Sequence, residues 1–183
     1  DTRLSRGLGD VYKRQLLGGS SSINGLVFVR GQPLDYDTWG QLGNRGWSFD
    51  DVLPFFQKME HYEHGEDDLR SQGGPLRVSK ATDEGPLYDA IKAASKELGI
   101  PHNPDYNGKS QEGIVRTQTT ISNGVRMSTA RCYLNPVKNR PNLRIETNAH
   151  VPKLLFAGKK CSGVHFRKNG QDRFVHAHKE VIV

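Results

Sequence analysis

A run of glycine, serine and asparagine near the start of the chain constrains the fold more than any other stretch. It reads LGGSSSING over residues 17–25 and turns hydrophobic immediately afterwards. Gly18 and Gly19 have no Cβ, so their backbone N–H groups can approach an anion closely. Ser20 can donate to a phosphate or cap a helix, and the Asn24 carboxamide can both donate and accept. This chemistry predicts a cradle for a cofactor, although ordinary loops also carry glycine and serine runs.

Further motifs follow this run in a fixed order. They are PLDYDTWG, GWSFDDVLPFFQKME, NGVRMSTARCYLNP, NLRIETNAHVPKLLF and KEVIV. Together with LGGSSSING and the later RG pair, they resemble the glucose-methanol-choline (GMC) oxidoreductases, flavoenzymes that oxidise alcohols with FAD. The resemblance runs from about residue 16 to residue 183 and is strongest to the bacterial choline dehydrogenase and alcohol dehydrogenase branch. Several motifs in register are far more specific than one glycine-rich loop.

The resemblance implies a set of cofactor-binding residues, which are Gly18, Gly19, Ser20, Asn24, Gly25, Val27 and Val151. The first three would lie against the FAD diphosphate and ribityl chain, and the next three would line the flavin. The last would meet the adenine through its backbone. A covalently flavinylated branch of the family carries histidine where this chain has Ile23, so the resemblance implies non-covalent FAD.

Two parts of the family pattern do not occur in this sequence. One is the dinucleotide-binding fingerprint GxGxxG, and the other is the catalytic histidine, which in the family lies far towards the C-terminus of a longer chain. The seven histidines do not match that position, so no catalytic residue is assigned. We therefore expect an internal fragment that is inactive alone.

The function implied for the whole enzyme is FAD-dependent oxidation of CH–OH groups of primary alcohols, choline or others, to aldehydes. Which alcohol is oxidised, and whether oxygen or a membrane quinone accepts the electrons, are left open. The alternative is a non-catalytic binding or scaffold module that keeps a remnant of the fold. The partner expected for the whole enzyme is a small-molecule alcohol.

Composition excludes several other classes of function. The net charge is +6, but the basic residues are scattered rather than concentrated on one face, so we do not expect nucleic-acid binding. No apolar run approaches the roughly 20 residues that cross a bilayer. Cys132 and Cys161 show no CxxC spacing, which favours reduced thiols in a cytoplasmic protein, with peripheral association at the inner membrane left open.

Two histidine pairs are spaced as metal ligands would be, but we assign no metal site. His61 and His64 lie three apart at a polar helix end, and His176 and His178 lie two apart on a strand. Neither pair has a third ligand at a suitable spacing, so solvated histidines explain both. Arg30 allows two interpretations, a contact near the flavin edge or phosphate, or a surface salt bridge.

The predicted fold class is α+β, with part of a GMC-type FAD-binding domain, part of the substrate-binding domain and a C-terminal β-meander. We expect a non-family tail over residues 1–15, an FAD-contacting segment over 16–74 and part of the substrate domain over 75–140. The meander over 141–183 would return to the FAD domain. These boundaries follow the motifs and the turn-rich stretches between them.

Periodicity and turn residues predict the individual elements. Ser48 and Asp51 have the spacing of a capping box before an apolar stripe, and Pro54 should fall in the first turn of that helix. A second helix is predicted over residues 86–98. The predicted strands are a run over 23–29 buried on both sides, and stretches over 143–147, 151–156, 161–167 and 173–183.

Overall fold

The computed structural model describes residues 16–82 and 85–183, so the predicted tail over residues 1–15 lies outside the described part. The chain divides into two compact units, the first ending at Val137 and the second formed by Lys138–Val183. Helices and strands are both present, and the predicted α+β class is confirmed. Within the described residues, no helix combines the length and the apolar character needed to cross a bilayer.

Three α-helices lie in the described part of the first unit. They are α1 (Pro33–Gln41), α2 (Phe49–Met59) and α3 (Pro86–Glu97). The capping box at α2 is confirmed, because the Ser48 hydroxyl accepts the Asp51 N–H and the Asp51 carboxylate accepts the Ser48 N–H at 3.1 Å. The position expected for Pro54 is wrong. The Ser48 cap satisfies the Asp51 N–H, and the Asp37 carboxylate accepts the Phe49 N–H. The helix therefore starts at Phe49, which places the proline one turn further in.

The predicted second helix is confirmed as α3. Pro86 occupies its first position, where a missing N–H costs nothing, and Gly99 follows it with a φ of 72°. Its apolar stripe is not buried, since the Leu87 and Leu98 side chains are both mostly exposed. The residue that α3 buries is Ser95, whose hydroxyl donates to the Lys92 carbonyl.

Short strands complete the first unit. They are β1 (Glu60–Tyr62), β2 (Leu76–Lys80), β3 (Gln118–Thr119), β4 (Ile121–Ser122) and β5 (Val125–Arg126). β1 pairs with β2 in parallel, β2 pairs with β3 antiparallel, and β4 and β5 form a hairpin. Asn123 and Gly124 connect that hairpin with φ values of 51° and 70°, as a tight two-residue turn requires. The small core of this unit consists of Phe28, Tyr62, Leu76, Val78 and Cys132.

The strand predicted over residues 23–29 is wrong in extent and in burial. The structure shows one isolated bridge there, between Val27 and Thr119. Phe28 is 9% exposed, whereas Val27 is 55% and Val29 is 61% exposed. Successive side chains of an extended segment face opposite ways. Phe28 therefore packs into the core, and its two neighbours lie on an open face.

The second unit is an antiparallel meander, as predicted. Its strands are β6 (His150–Ala157), β7 (Lys160–Lys168) and β8 (Gln171–His176). Asn169 and Gly170, with φ values of 52° and 75°, form the turn between β7 and β8. At Gly163 an added Cβ would collide with the Val175 carbonyl oxygen, so glycine allows the close approach of β8 to β7.

In this unit one predicted strand is absent, and the predicted end of another is wrong. Residues 143–147 form no strand, because a turn from Arg140 to Leu143 opens the segment, and Arg144 pairs with Glu146 on its own stretch of chain. β8 ends at His176, where the register with β7 reaches Gly163, so residues 177–183 lie outside the meander. Alternation of apolar residues was therefore insufficient where no neighbouring strand offered hydrogen bonds.

Candidate functional site

The glycine-serine run forms a tight loop in the first unit. Gly18 and Gly19 take the left-handed conformation, with φ values of 91° and 54°, and a single 3₁₀ turn covers Gly19–Ser22. A Cβ added at Gly18 would collide with the Ser22 hydroxyl, and it would lie 3.1 Å from the Ala130 nitrogen and 3.2 Å from its Cβ. A Cβ added at Gly19 or Gly25 would meet no described atom within 4 Å. Gly18 is thus needed for packing, whereas Gly19 and Gly25 leave an open surface.

Most polar groups of the loop bond to the loop itself. The Gly19 N–H donates to the Leu16 carbonyl at 2.8 Å, so Gly19 offers a ligand its bare Cα and not its N–H. The Ser21 hydroxyl donates to the Gly18 carbonyl, and the Ser22 hydroxyl donates to the Leu17 carbonyl at 2.8 Å. Within the described residues, Ser20 is the serine of this run whose exposed hydroxyl has no hydrogen-bond partner.

A second segment, more than a hundred residues further along the chain, holds the loop from behind. We call residues 126–130 the supporting segment. The Thr129 hydroxyl donates to the Gly18 carbonyl at 3.0 Å, and the Thr129 N–H donates to the Ser21 hydroxyl at 2.9 Å. Arg126 Nη1 donates to the Ser21 carbonyl at 3.2 Å and to the Asn24 carbonyl at 2.8 Å. Both ends of the loop are therefore fixed by residues distant in sequence.

The Asn24 carboxamide is also fixed. Its Oδ1 accepts from Arg126 Nη1 at 2.8 Å and from the Leu26 N–H at 3.1 Å. Leu26 has a φ of 70°, which is unusual for a leucine and costs on the order of 1–2 kcal/mol. The Thr120 N–H donates to the Leu26 carbonyl at 2.9 Å and helps to hold this conformation.

Val27, the next predicted site residue, lies on the open face. It lines a shallow groove of about 330 Å³, whose other lining residues are Val29, Tyr106, Gln111, Val115 and Thr117. Apolar side chains on an open groove are suited to contact a flat apolar ring. Val151 belongs to the second unit, where it lies in β6 within a stretch whose pairing with β7 is irregular, between His150 and Lys153.

Sequence reasoning missed a buried network of charged residues in the first unit. Arg30 pairs with Glu60 at 2.6 Å, Glu60 also pairs with Arg70, and Arg70 Nη1 lies 2.7 Å from Asp105 Oδ2. The side chains of Arg30, Glu60 and Arg70 are 3%, 0% and 1% exposed. Gln118 accepts from Arg70 and donates to Asp105. Two cations and two anions are therefore enclosed together.

This network corrects the surface salt bridge considered for Arg30, whereas a contact with the flavin or phosphate stays a prediction. Arg30 forms a salt bridge, but the bridge is buried rather than at the surface, and the guanidinium is enclosed by Glu60, the Leu69 carbonyl and the Phe56 ring. Burial lowers the Arg30 pKa, and the charge of Glu60 opposes that shift. For Arg70 burial acts in the same direction, but hydrogen bonds and charges from Glu60 and Asp105 outweigh it and raise the pKa. Both guanidinium groups are held inside the first unit by acidic partners, and Arg30 also lines a cavity of about 530 Å³.

No sequence pattern pointed to this network, because its members lie far apart in the chain. The available signals were Arg30, a basic residue just after an apolar run, and Glu60, an acidic residue directly after the apolar positions of a predicted helix. His61 and His64, the first of the two histidine pairs considered as metal ligands, are engaged locally. His61 Nδ1 accepts the Gly73 N–H at 3.0 Å, and His64 lies 3.3 Å from Glu63. The part of the chain that the structure describes holds no cluster of three or more potential metal ligands.

Comparison with known proteins identifies the family. The family model of GMC oxidoreductases matches residues 12–183. The chain belongs to the GMC oxidoreductase family. Among similar GMC members is the oxygen-dependent choline dehydrogenase of Sinorhizobium fredii, 41% identical over 169 residues, which cover 92% of this chain and 31% of that protein. The protein of the same name from Brucella ovis is 40% identical with the same coverage.

Solved GMC structures agree with this assignment. An FAD-dependent oxidoreductase from Chaetomium thermophilum superposes with a TM-score of 0.82 and 31% identity, covering 90% of this chain and 31% of that one. Pyridoxine 4-oxidase from Mesorbium loti gives the same TM-score and identity, with 88% and 32% coverage. The predicted family and fold are thereby confirmed. The chain spans about a third of the length of the relatives it matches.

Proposed function

We propose that this GMC chain provides one wall of the FAD site of an oxidoreductase that converts primary alcohols into aldehydes. The observation that carries the proposal is the loop over residues 18–25, which is held rigidly from behind and open in front. Thr129 and Arg126 fix it on one side, and Gly19 and Gly25 leave free space on the other. A preformed wall of this kind lowers the entropic cost of binding a cofactor.

The residues present fit FAD by their chemistry. Gly18, Gly19 and Ser20 would face the diphosphate and ribityl chain, with the Ser20 hydroxyl as the available donor. Gly25 and the half-exposed Val27 suit a flat ring, because one carries no side chain and the other is apolar. FAD, when bound, would supply the acceptor for a hydride from the alcohol carbon.

The remaining contacts complete the proposed cofactor site. Asn24 would offer a polar edge to the flavin, and the backbone of Val151 would meet the adenine. No residue of this chain is assigned a catalytic role. The chain's part in the reaction is to bind and orient the cofactor, and to exclude water from one of its faces.

We further propose that FAD is held without a covalent bond. Ile23, at the position where one branch of the family attaches its flavin, has a half-exposed aliphatic side chain without a nucleophilic atom. The two cysteines, Cys132 and Cys161, are free thiols, which agrees with a cytoplasmic location. As substrate we propose a small alcohol, since relatives named for choline and for pyridoxine both act on hydroxyl-bearing molecules.

The segments keep the roles inferred from the family. Residues 16–74 would contact FAD, residues 75–140 would form part of the substrate domain, and the meander over 141–183 would return to the FAD domain. The loop at residues 18–25 supports the first of these roles through its open face.

A hybrid protein tests this proposal. The 169 aligned residues of the Sinorhizobium fredii relative are replaced by those of this chain, and the purified hybrid is examined for flavin absorbance after gel filtration. We expect a yellow protein that releases all its FAD on denaturation and oxidises a primary alcohol. A hybrid that unfolds cooperatively but carries no flavin would refute the FAD site and favour a non-catalytic module. Flavin that stays on the denatured polypeptide would refute non-covalent binding.

A further inference from the structure

We propose that Arg126 is a positioning residue for the flavin contact of Asn24. It fixes the Asn24 carboxamide so that the Nδ2 amino group, and not the oxygen, is the group presented to the cofactor. This inference rests on the proposed FAD site and adds to it a residue, a direction of hydrogen bonding and a measurable consequence. It concerns the loop and the supporting segment alone, both of which lie in the first unit.

The hydrogen bonds of Asn24 define how its carboxamide is oriented. Oδ1 accepts two bonds, from Arg126 Nη1 at 2.8 Å and from the Leu26 N–H at 3.1 Å. A carboxamide oxygen has two lone pairs, so its accepting capacity is used. Rotating the group by half a turn would place the amino hydrogens against two other donors. The orientation with the oxygen towards Arg126 is therefore strongly favoured.

The other end of the carboxamide is left for a ligand. Within the described residues, Asn24 Nδ2 has no hydrogen-bond partner, and Asn24 is exposed. The amino group can only donate. The ring system of a flavin carries carbonyl oxygens and ring nitrogens that accept hydrogen bonds, so donor and acceptor are complementary.

Arg126 is itself held firmly enough to impose this orientation. It lies in β5, at the end of the hairpin closed by Asn123 and Gly124, and the same Nη1 donates to the Asn24 and Ser21 carbonyls. Charged donors form stronger hydrogen bonds than neutral ones. The positive charge of Arg126, next to Oδ1, also draws electron density from the amide and makes its amino group a better donor.

Two consequences for the cofactor follow. A stronger donor tightens FAD binding, and it stabilises the negative charge that a flavin ring gains when it is reduced. Arg126 would therefore raise both the affinity for FAD and the midpoint potential of the bound flavin without touching the flavin itself. A purely structural role for Arg126 predicts a loss of thermal stability and no specific change in potential.

The sharpest test is Asn24→Asp in the hybrid protein. Aspartate keeps the oxygen that Arg126 and Leu26 bind, replaces the amino donor by a second oxygen and adds a negative charge. We expect the melting temperature of the 183-residue chain without FAD to stay the same or rise, because an ion pair with Arg126 forms. In the hybrid, FAD affinity should fall about tenfold or more, as for a lost hydrogen bond to a cofactor, and the flavin potential should fall. Unchanged FAD affinity and potential would overturn the proposal.

A double-mutant cycle then tests whether Arg126 acts through Asn24. We expect Arg126→Met to weaken FAD binding about tenfold in the unsubstituted hybrid. In a hybrid that already carries Asn24→Ala, the same substitution should weaken FAD binding by less than about threefold. Arg126→Lys should retain part of the affinity, and Arg45→Met, at an exposed loop residue of the same unit, is the matched control. Fully additive losses from Arg126→Met and Asn24→Ala would overturn the positioning role.

These outcomes separate the two proposals. An unsubstituted hybrid that folds without flavin refutes the FAD site itself. A hybrid that binds FAD but does not respond to Asn24→Asp refutes only the role of Arg126, and the FAD site stands.

Discussion

Replacing Glu60 by glutamine should destabilise the first unit severely. Glu60 accepts hydrogen bonds from both Arg30 and Arg70, and its side chain is completely buried. Glutamine keeps the size of the side chain but removes the charge, so two buried cations would face Asp105 alone. Removing one partner from a buried ion pair costs about 3–5 kcal/mol, because the remaining charge stays desolvated. A typical domain has about 5–15 kcal/mol of stability in all.

Urea denaturation of the 183-residue chain measures this effect. Trp39 and Trp47 pack edge to face in the first unit, so their fluorescence reports on its unfolding. Glu66→Gln, in an exposed loop, is the matched control and should change stability by less than about 0.5 kcal/mol. If Glu60→Gln unfolds within about 1 kcal/mol of the parent chain, the buried network does not stabilise this fold and the reasoning fails.

Two further predictions concern the loop and the meander. Gly18→Ala should cost about 2–4 kcal/mol in urea unfolding, from the left-handed backbone and the contact of the new Cβ with Ala130, and a loss below about 1 kcal/mol would contradict the packing described. Hydrogen bonds from Lys168, and then Arg144, hold the Glu146 pKa below its usual 4.5. The ionised Glu146 carboxylate therefore stabilises the folded state above pH 4.5, and this contribution is lost as the pH falls through the lowered pKa. Thermal melting by circular dichroism at pH 7 and pH 3 should show a smaller pH dependence for Glu146→Gln, and equal dependence in both proteins would refute this.

Local rules in the sequence predicted those elements whose causes are local. The capping box at Ser48, the proline and glycine that bound α3, and the turn at Asn169 and Gly170 each depend on a few neighbouring residues. The structure places helix starts, helix ends and a hairpin at these positions. Such features are readable because their hydrogen bonds close within one turn of chain.

The sequence failed where the deciding partner lies far away. Residues 143–147 alternate like a strand but have no strand beside them, and Val27 and Val29 are apolar but lie on an open face. Arg30 is charged but buried, because Glu60 reaches it from the end of α2. In each case the outcome depends on which surfaces meet in three dimensions, and residue type alone does not specify that.

The difference between local and distant partners also explains which parts of the candidate site could be predicted from the sequence. The glycines and Asn24 stood out because their composition is unusual over a short stretch. The supporting segment did not, because Arg126 and Thr129 contact the loop across more than a hundred residues. A motif shared with the family covered both stretches, but nothing in the sequence showed that one holds the other.

The support of the loop by residues 126–130 has a consequence for biosynthesis. Closing a loop of about a hundred residues costs roughly 4 kcal/mol of chain entropy, so local order near Gly18 gains little until its distant partner arrives. On the ribosome, the glycine-rich stretch emerges before the supporting segment and must wait for Thr129 to be translated before it acquires its shape. Cofactor uptake by the nascent chain should therefore not precede translation of Thr129, and ribosome-bound intermediates that end before Thr129 should stay colourless.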